Sequence, residues 1–284
     1  MKIRIPVLFL ASFLFILSSC KFQQILKKGD VEQKYEYAMK LYEKKDYSRA
    51  LQLFDPLMNM MKATDKTQLL YYRYAYCYYY QKEFTLASYY FKRYTSNFPN
   101  TKEAEECFFM SAYCNYLNSP DYQLDQTSTM EAIKELQLFT NTYPESQRVS
   151  ECNDLIDKIR TKLEYKDYKI AKMYYRMSDY VAAVSCFNNI LKDYTDSPHK
   201  EEILYLIFKS YYKYAKESIE SKKKERFLKA VAAYNELIIQ FPDSQYLSEV
   251  RDLKAKTDEE LKNIDQQGIK ISSININNSN RYGL

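Results

Sequence analysis

Five segments of the chain repeat one pattern of small and large apolar residues. Each begins with an alanine, continues four positions later with an aromatic residue or leucine, and ends seven positions further on with another large apolar residue. The alanines are Ala50, Ala87, Ala132, Ala183 and Ala230, so successive copies are 37, 45, 51 and 47 residues apart. An internal repeat of this length predicts stacked supersecondary units, which bury a continuous core only against their neighbours.

Each copy has the pattern of a pair of helices. In the first copy, residues 31–44 form one helical run, a short polar step interrupts it, and residues 47–61 form the second run. The alanine is small enough to let the two helices cross closely, and the rings fill the space beside that contact. Pro99, Pro144 and Pro242 each follow an aromatic residue, where proline ends one helix and allows the next to begin.

Glycine is scarce, which argues against a β-rich fold. The chain has three glycines and none between residues 30 and 267, whereas hairpins and turns would need many more. The predicted fold is all-α, an α-α superhelix (solenoid) of about five tetratricopeptide-like helix pairs over residues 31–265. Residues 266–284 contain alternating isoleucines, and we expect a flexible tail there, with a short strand as the alternative.

Three copies depart from the regular pattern. A polar insertion at residues 118–128 divides the third copy, and residues 146–164 lengthen the first helix of the fourth backwards by several turns. The fifth copy has a charged insertion at residues 221–226. Its lysine run, Lys222 to Lys224, is expected to be a solvated loop, with contact to anionic lipid head groups as the weaker alternative.

The N-terminus has the layout of a secretory signal. Lys2 and Arg4 precede an apolar run at residues 7–17, which is too short to span a bilayer comfortably. The run ends at Cys20 in the sequence LSSC, which resembles the bacterial lipobox. In that class of protein the cysteine thiol is diacylated, the leader is cut before it, and the new amine is acylated. Several acyl chains, of the palmitate kind, give stable anchoring.

The lipobox resemblance implies that Cys20 is the lipidation site, with residues 1–19 as the leader and residues 20–30 as a lipidated tether. Lys21 follows Cys20 in place of aspartate, which by the sorting rule of enteric bacteria favours the outer membrane. No later stretch reaches the roughly 20 apolar residues of a spanning helix. We therefore expect a lipid-anchored protein that faces the periplasm, with an ordinary signal peptide and a chance cysteine as the alternative.

Charge and cysteine content narrow the range of partners and of crosslinks. The formal net charge is +5, and it falls to +3 when the two leader cations are removed, which is too small to indicate nucleic acid as a partner. Five cysteines remain beside Cys20, and an odd number in predicted helices favours buried thiols over a disulfide framework. A Cys77–Cys114 disulfide is the alternative. The five are Cys77, Cys107, Cys114, Cys152 and Cys186.

Motifs for catalysis are absent from the sequence. No glycine-rich loop is available for phosphate, and neither GxSxG nor HExxH occurs. His199 is the only histidine, and it lies in a helix-start turn where we expect a solvated neighbour of the cap. The acidic pairs Glu105-Glu106 and Glu201-Glu202 lie in first helical turns, where they complement the helix dipole. We therefore predict no enzyme activity, no catalytic residue, no metal and no cofactor.

Tyrosine is unusually frequent, with 31 copies and no tryptophan in the chain. One face of each first helix follows the spacing 3, 4, 3 and is rich in these rings. In a tetratricopeptide superhelix this face lines a concave groove, where tyrosine offers contact area and a hydroxyl to an extended peptide. The alternative is that the rings only pack helices together. The predicted peptide-binding groove consists of Tyr35, Met39, Tyr42, Tyr72, Tyr76, Tyr79, Tyr113 and Tyr116.

Residues 163–183, with the sequence LEYKDYKIAKMYYRMSDYVAA, carry a more specific resemblance. Their long helix with an inner alanine, their tyrosine pair and their Tyr-x-Ala-Ala helix start are similar to the BamD family. The insertion around Asp121 and Asp125 and the YPES turn at residues 143–146 agree with it. BamD proteins are lipoproteins of the outer-membrane β-barrel assembly machinery with tetratricopeptide-like repeats. The Gln266 to Leu284 tail has no counterpart that we can match.

The BamD resemblance implies a scaffold that binds without turnover. It implies that the C-terminal repeats dock on a BamA-like barrel insertase, and that the N-terminal repeats receive unfolded outer-membrane protein segments to promote their folding and insertion. Two alternatives remain. One is a lipid-anchored tetratricopeptide scaffold for other envelope complexes, such as cell-wall enzymes, export or secretion. The other is an envelope enzyme with the solenoid as support, for which the segment after the fifth copy leaves no room.

Overall fold

The structure is a computed structural model that describes residues 21–61 and 65–281, and side chains within residues 21–61 and 66–267. The predicted leader and Cys20 lie outside the described residues. Every regular element within the described ranges is a helix. Residues 21–28 form the described part of α1. The helices that follow are α2 (Val31–Glu43), α3 (Tyr47–Met60), α4 (Asp65–Tyr80), α5 (Phe84–Asn97), α6 (Glu103–Leu117), α7 (Thr127–Thr142), α8 (Val149–Arg176), α9 (Tyr180–Asp193), α10 (Lys200–Lys216), α11 (Glu220–Gln240) and α12 (Leu247–Arg281).

Helices α2 to α11 form the five predicted pairs, which confirms the all-α class. The chain divides into two compact units, Met1–Ile159 and Arg160–Leu284. In the first unit, each helix from α3 to α7 packs against the helix that precedes it. In the second unit, α9 packs on α10, α10 on α11 and α11 on α12. None of the described helices is both long enough and apolar enough to cross a membrane.

The repeated alanines are all fully buried. In the first unit Ala50 and Ala87 are fully buried, together with Phe54 and Phe91 four positions later. The second unit repeats this arrangement around Phe187, and its core also contains large apolar residues of α10. The apolar pattern of the sequence therefore identifies residues of the buried core.

The connections explain how the chain turns tightly without glycine. Lys45, Lys82 and Ser178 occupy equivalent turns within the first, second and fourth pairs, and each has a φ of 61° to 63°. At the last of these turns the Ser178 N–H donates to the Tyr175 carbonyl and the Asp179 N–H donates to the Tyr174 carbonyl. These are the two hydrogen bonds of a Schellman cap, whose left-handed position normally holds glycine.

We expect Ser178→Gly to raise the free energy of unfolding of the second unit by about 1 kcal/mol, because a side chain is unfavourable at positive φ. Urea unfolding followed by circular dichroism measures the change. Met177→Gly in the same turn is the control, since Met177 is not among the positive-φ residues. We expect this control to lower the stability, and a Ser178→Gly variant that is also destabilised would contradict the argument.

The cysteines agree with the prediction of buried thiols. All five described cysteines are free, and Cys77, Cys107, Cys114 and Cys152 are buried while Cys186 is half-buried. The Cys77–Cys114 disulfide is therefore not formed in this structure. Burial raises the pKa of the thiols, to about 12 for Cys77 and for Cys114 and to about 11 for Cys152.

We expect Cys186 to be alkylated by iodoacetamide at pH 8 at least about tenfold faster than Cys114. A pKa four units above the pH leaves roughly one thiol in ten thousand as the reactive thiolate, and burial restricts access as well. Peptide mass spectrometry against time measures both rates. Unfolding in urea should make the two rates similar, and equal rates in the folded protein would contradict the prediction.

The departures from the repeat pattern have different structural outcomes. The polar insertion at residues 118–128 lies mainly in the connection between α6 and α7, and the predicted extension is present in the 28-residue α8. The lysine run is not a loop: it lies in the first turns of α11. The strand alternative for residues 266–284 is also wrong, because α12 continues as a helix to Arg281. The flexibility of that tail stays a prediction.

Candidate peptide-binding groove

The predicted groove residues of the first unit lie on α2, α4 and α6, and burial divides them into two groups. Tyr35, Tyr42 and Tyr76 are buried. Burial raises the pKa of Tyr42 to about 12, although the Arg73 guanidinium lies 4.5 Å from the centre of its ring and acts in the opposite direction. The half-buried members retain accessible surface, and they are Met39, Tyr72, Tyr79, Tyr113 and Tyr116.

The accessible rings pack in short aromatic runs. The rings of Tyr113 and Tyr116 stack with 5.9 Å between their centres, and Tyr113 also stacks on Phe109 at 5.6 Å. On α4, the Tyr79 ring contacts the edge of Tyr76, whose centre is 6.0 Å away. These rings therefore pack against other rings of their own helix and keep part of their surface accessible, and their role in binding a peptide stays a prediction.

Glu106 joins two of these tyrosines across neighbouring helices. The hydroxyls of Tyr72 and Tyr76 on α4 donate to its carboxylate on α6, at 3.0 Å and 2.6 Å. Burial, followed by the hydrogen bond to Glu106, raises the pKa of Tyr76 well above its usual value. A carboxylate has about four lone-pair sites, so Glu106 retains capacity for further N–H donors. The interaction thus positions the α4 face and leaves an acceptor beside it.

A pocket of about 410 Å³ opens beside this carboxylate. It has two cationic side chains, Arg73 and Lys102, and two carboxylates, Glu103 and Glu106. Tyr72, Tyr94 and Leu69 provide its apolar wall. Arg73, Lys102 and Tyr94 were not predicted from the sequence, because they lie outside the 3, 4, 3 spacing. Such a pocket can accept an aromatic side chain while its rim hydrogen-bonds to the backbone of an extended segment.

The second unit uses the same arrangement with lysine in place of one tyrosine. Tyr168 and Lys172 on α8 both donate to Glu202 on α10, the lysine at 2.7 Å. Burial alone would raise the pKa of Glu202, but these two hydrogen bonds outweigh it and hold the pKa below its usual value. Tyr205 and Lys209 donate in the same way to Glu249 on α12. The equivalent carboxylate in the first unit, Glu106, has no lysine in this position.

The first glutamate of each acidic pair contacts the turn that follows its helix pair. Glu105 accepts a hydrogen bond from the hydroxyl of Ser146, and Glu201 accepts one from Ser244 at 2.7 Å. Each of these serines also accepts the backbone N–H two residues further on. The dipole interpretation of the acidic pairs is therefore incomplete, because the paired carboxylates also connect adjacent repeats in both directions along the chain.

The interpretation of His199 as a solvated cap neighbour is wrong. Its ring stacks on Tyr168 with 4.0 Å between centres, and its Nδ1 lies 3.0 Å from the buried carboxylate of Glu164. Glu164 also accepts from the hydroxyl of Ser197. The histidine is thus part of the packing between α8 and the start of α10. Within the described residues, no group of three histidine, cysteine or acidic side chains could hold a metal ion.

The fold and the shared hydrogen bonds define the class of this protein as a helix-pair repeat protein of the tetratricopeptide type. Residues 27–227 match the family model described as YfiO, outer membrane lipoprotein. The chain therefore belongs to the YfiO family of outer membrane lipoproteins, which confirms the resemblance to BamD proteins predicted from the sequence. At the family level, this indicates association with the outer membrane.

Individual proteins similar to this chain include a BamD protein and two repeat proteins of solved structure. A 91-residue segment is 29% identical to the outer membrane protein assembly factor BamD of Buchnera aphidicola subsp. Acyrthosiphon pisum (strain APS), and it covers 32% of this chain and 37% of that protein. Among solved structures, a TPR repeats protein from Bacteroides fragilis NCTC 9343 is 15% identical over 81% of this chain and 99% of its own, with a TM-score of 0.37. The C-terminal part of a TPR repeat-containing protein from Cytophaga hutchinsonii is 17% identical, over 82% of this chain and 95% of its own, with a TM-score of 0.29.

Proposed function

We propose that this protein is a lipid-anchored scaffold of the outer-membrane β-barrel assembly machinery. The observation that carries the proposal is the family match over residues 27–227, together with a relative that is an assembly factor. In this proposal Cys20, outside the described residues, carries the acyl chains that hold the protein at the outer membrane, facing the periplasm. The protein binds its partners without catalysing a reaction.

The two units have separate roles in this proposal. The repeats of the second unit dock on a BamA-like insertase, and the first unit receives unfolded outer-membrane protein segments. The accessible tyrosines of α4 and α6 and the pocket beside Glu106 support the second assignment. They offer aromatic surface, both signs of charge and a carboxylate that can accept peptide N–H groups.

The experiment that tests the partnership is a pull-down from detergent-solubilised outer membranes with the protein tagged at its C-terminus. We expect mass spectrometry to find a large β-barrel protein with periplasmic repeat domains in near-equal amount. Recovery of cell-wall enzymes or export components without such a barrel would contradict the proposal. That result would favour the alternative of a lipid-anchored scaffold for another envelope complex.

Client binding is tested by photo-crosslinking from two tyrosine positions. Tyr79 lies in the predicted groove, whereas Tyr89 is 56% exposed on the second helix of the same pair, outside that face. A photoreactive amino acid at position 79 should crosslink unfolded outer-membrane protein segments, and the same group at position 89 should not. Equal crosslinking from both positions would indicate non-specific contact with the tyrosine-rich surface.

A further inference from the structure

The segment directly after the proposed lipid attachment site is a helix packed onto the first repeat. In α1, Phe22 is only 4% exposed, and the Arg49 guanidinium of α3 lies 5.7 Å from the centre of its ring. Gly29 ends α1 with an N–H donated to the Ile25 carbonyl at 2.9 Å. A Cβ at position 29 would lie 2.5 Å from that carbonyl oxygen, so the tight corner requires glycine. The buried Phe22 ring and its contact with Arg49 thus hold α1 against the first repeat.

A cationic pocket of about 340 Å³ lies between α1 and α2. Three lysines line it, Lys21, Lys28 and Lys40, with Glu36 as the only acidic lining residue. Three positive charges and one negative charge give the lining a formal charge of +2. Within the described residues, Lys40 is the only one of the three in an ion pair, at 4.0 Å from Glu36 with both side chains more than half exposed. An exposed pair of this kind contributes little, so the lysines remain available to an external anion.

The polar lining provides hydrogen-bond donors as well as charge. Gln24 and Tyr37 line the pocket beside the lysines, and the Lys21 ammonium lies 5.9 Å from the centre of the Tyr37 ring. An amide, a phenol and lysine ammonium groups together suit an anion with several oxygen acceptors, which is the chemistry of a phosphate group.

We propose that this pocket binds the phosphate of an anionic phospholipid in the leaflet that holds the lipid anchor. The inference rests on the proposed acylation of Cys20, because Lys21 is the next residue and acyl chains would keep the pocket at the membrane surface. Its charge is complementary to an anionic head group, and each lysine near such a surface strengthens binding about fivefold. The occupied pocket would fix α1, and through Phe22 and Arg49 the first repeat, relative to the membrane.

The lysine run of α11 provides a contrast within the same chain. Lys222 pairs with Glu225, Lys223 with Glu220, and Lys224 with Asp265. Three carboxylates balance these three lysines, so this group has no net formal charge, unlike the pocket lining with its formal charge of +2, and the run is not expected to recruit head groups. It offers three lysines of matched charge as a control for Lys21, Lys28 and Lys40.

The first test measures lysine acetylation on the acylated mature protein in vesicles. Vesicles of phosphatidylcholine alone are compared with vesicles that also contain phosphatidylglycerol, and intact mass first confirms the acyl chains. We expect acetylation of Lys21, Lys28 and Lys40 to slow about fivefold in the anionic vesicles, since a paired ammonium loses its proton less readily. Lys27, exposed on α1 but outside the pocket lining, should slow less, and Lys222 to Lys224 should not change.

The outcomes separate this inference from the proposed function. A protein without acyl chains would overturn the anchor and the inference together, whereas an acylated protein without lysine protection would overturn only the inference. Equal protection at Lys27 would show diffuse attraction to the surface in place of a binding pocket. Protection by millimolar inorganic phosphate in phosphatidylcholine vesicles would identify free phosphate as the occupant and also overturn the lipid assignment.

The second test uses lysine variants of the same acylated chain and a readout on the backbone. Amide hydrogen exchange of residues 21–29 should slow about fivefold in phosphatidylglycerol vesicles for the unmodified protein and for K222Q/K223Q/K224Q. In K21Q/K28Q/K40Q, which leaves the Phe22 contact in place, the lipid effect should be lost. Slowing that persists in this variant would overturn the proposal, as would its loss in the control.

Discussion

Replacing Phe187 by alanine should lower the free energy of unfolding of the second unit by about 3–5 kcal/mol. Phe187 is fully buried in the core that α9 shares with α8 and α10, four positions after the crossing residue Ala183. The substitution loses the favourable free energy of transferring the ring out of water. It also leaves a cavity whose lining residues lose their van der Waals contacts. In a repeat stack, this loss also weakens the interfaces with neighbouring helices.

Backbone amide hydrogen exchange measures this effect locally, because a chain of two units need not unfold in a single step. The protection factors of α9 and α10 should fall by two to four orders of magnitude, because a loss of roughly 1.4 kcal/mol lowers protection tenfold. Val181→Ala is the matched control on the same helix, since Val181 is 55% exposed and its truncation should change stability by less than about 0.5 kcal/mol. Similar losses in both variants would show that the repeat pattern does not identify the core.

The repeat pattern predicted the core correctly and the lysine run incorrectly for the same reason, which is that burial constrains a sequence far more than exposure does. Ala183 and Phe187 are read correctly because burial at a helix crossing demands a small residue and then a large one, whatever the neighbouring sequence. The lysine run at Lys222 to Lys224 carries no such demand. Its charges are satisfied by Glu220, Glu225 and Asp265, and a polar stretch with i,i+3 partners forms a helix as readily as a loop.

The sequence predicts which groove residues share one side of a helix, but it does not predict which of them are accessible to a ligand. The 3, 4, 3 spacing identifies which residues share one side of a helix, and Tyr72 and Tyr76 do lie together there. The spacing does not reveal the surroundings of each ring in the folded chain. Tyr76 is buried there, whereas Tyr72 is partly accessible. The spacing also omits Glu106 as their partner, because a contact between residues 30 and 34 positions apart depends on the stacking of the repeats.

Polar contacts between repeats recur at equivalent positions with different chemistry. The carboxylate of Glu106 receives two phenols, whereas Glu202 receives one phenol and the ammonium of Lys172. A lysine in the second unit neutralises the carboxylate, and this suits a structural contact. In the first unit a neutral tyrosine takes the place of the lysine, and the positive charge near Glu106 comes from the pocket residues Arg73 and Lys102.

The same comparison between repeats predicts how the loss of Glu164 will differ from the loss of Glu105. Both carboxylates accept the hydroxyl of the serine in the following turn, Ser197 in one case and Ser146 in the other. Glu164 is buried and also contacts His199, whereas Glu105 and Ser146 are only half-buried. The serine contact is shared, so the two sites differ in burial and in the additional imidazole partner of Glu164.

We expect Glu164→Ala to lower the free energy of unfolding by about 3 kcal/mol, because it leaves a buried hydroxyl and an imidazole nitrogen without their acceptor. Glu105→Ala should cost under about 1 kcal/mol, since water can replace the lost carboxylate at a half-exposed serine. Amide exchange of α8 and α10 measures the first change, and that of α6 measures the second. Glu164→Gln, which keeps the volume and one acceptor oxygen, should recover part of the loss. Equal losses for the two alanine variants would show that the hydroxyl contact itself, and neither its burial nor the His199 contact, determines the stability of these turns.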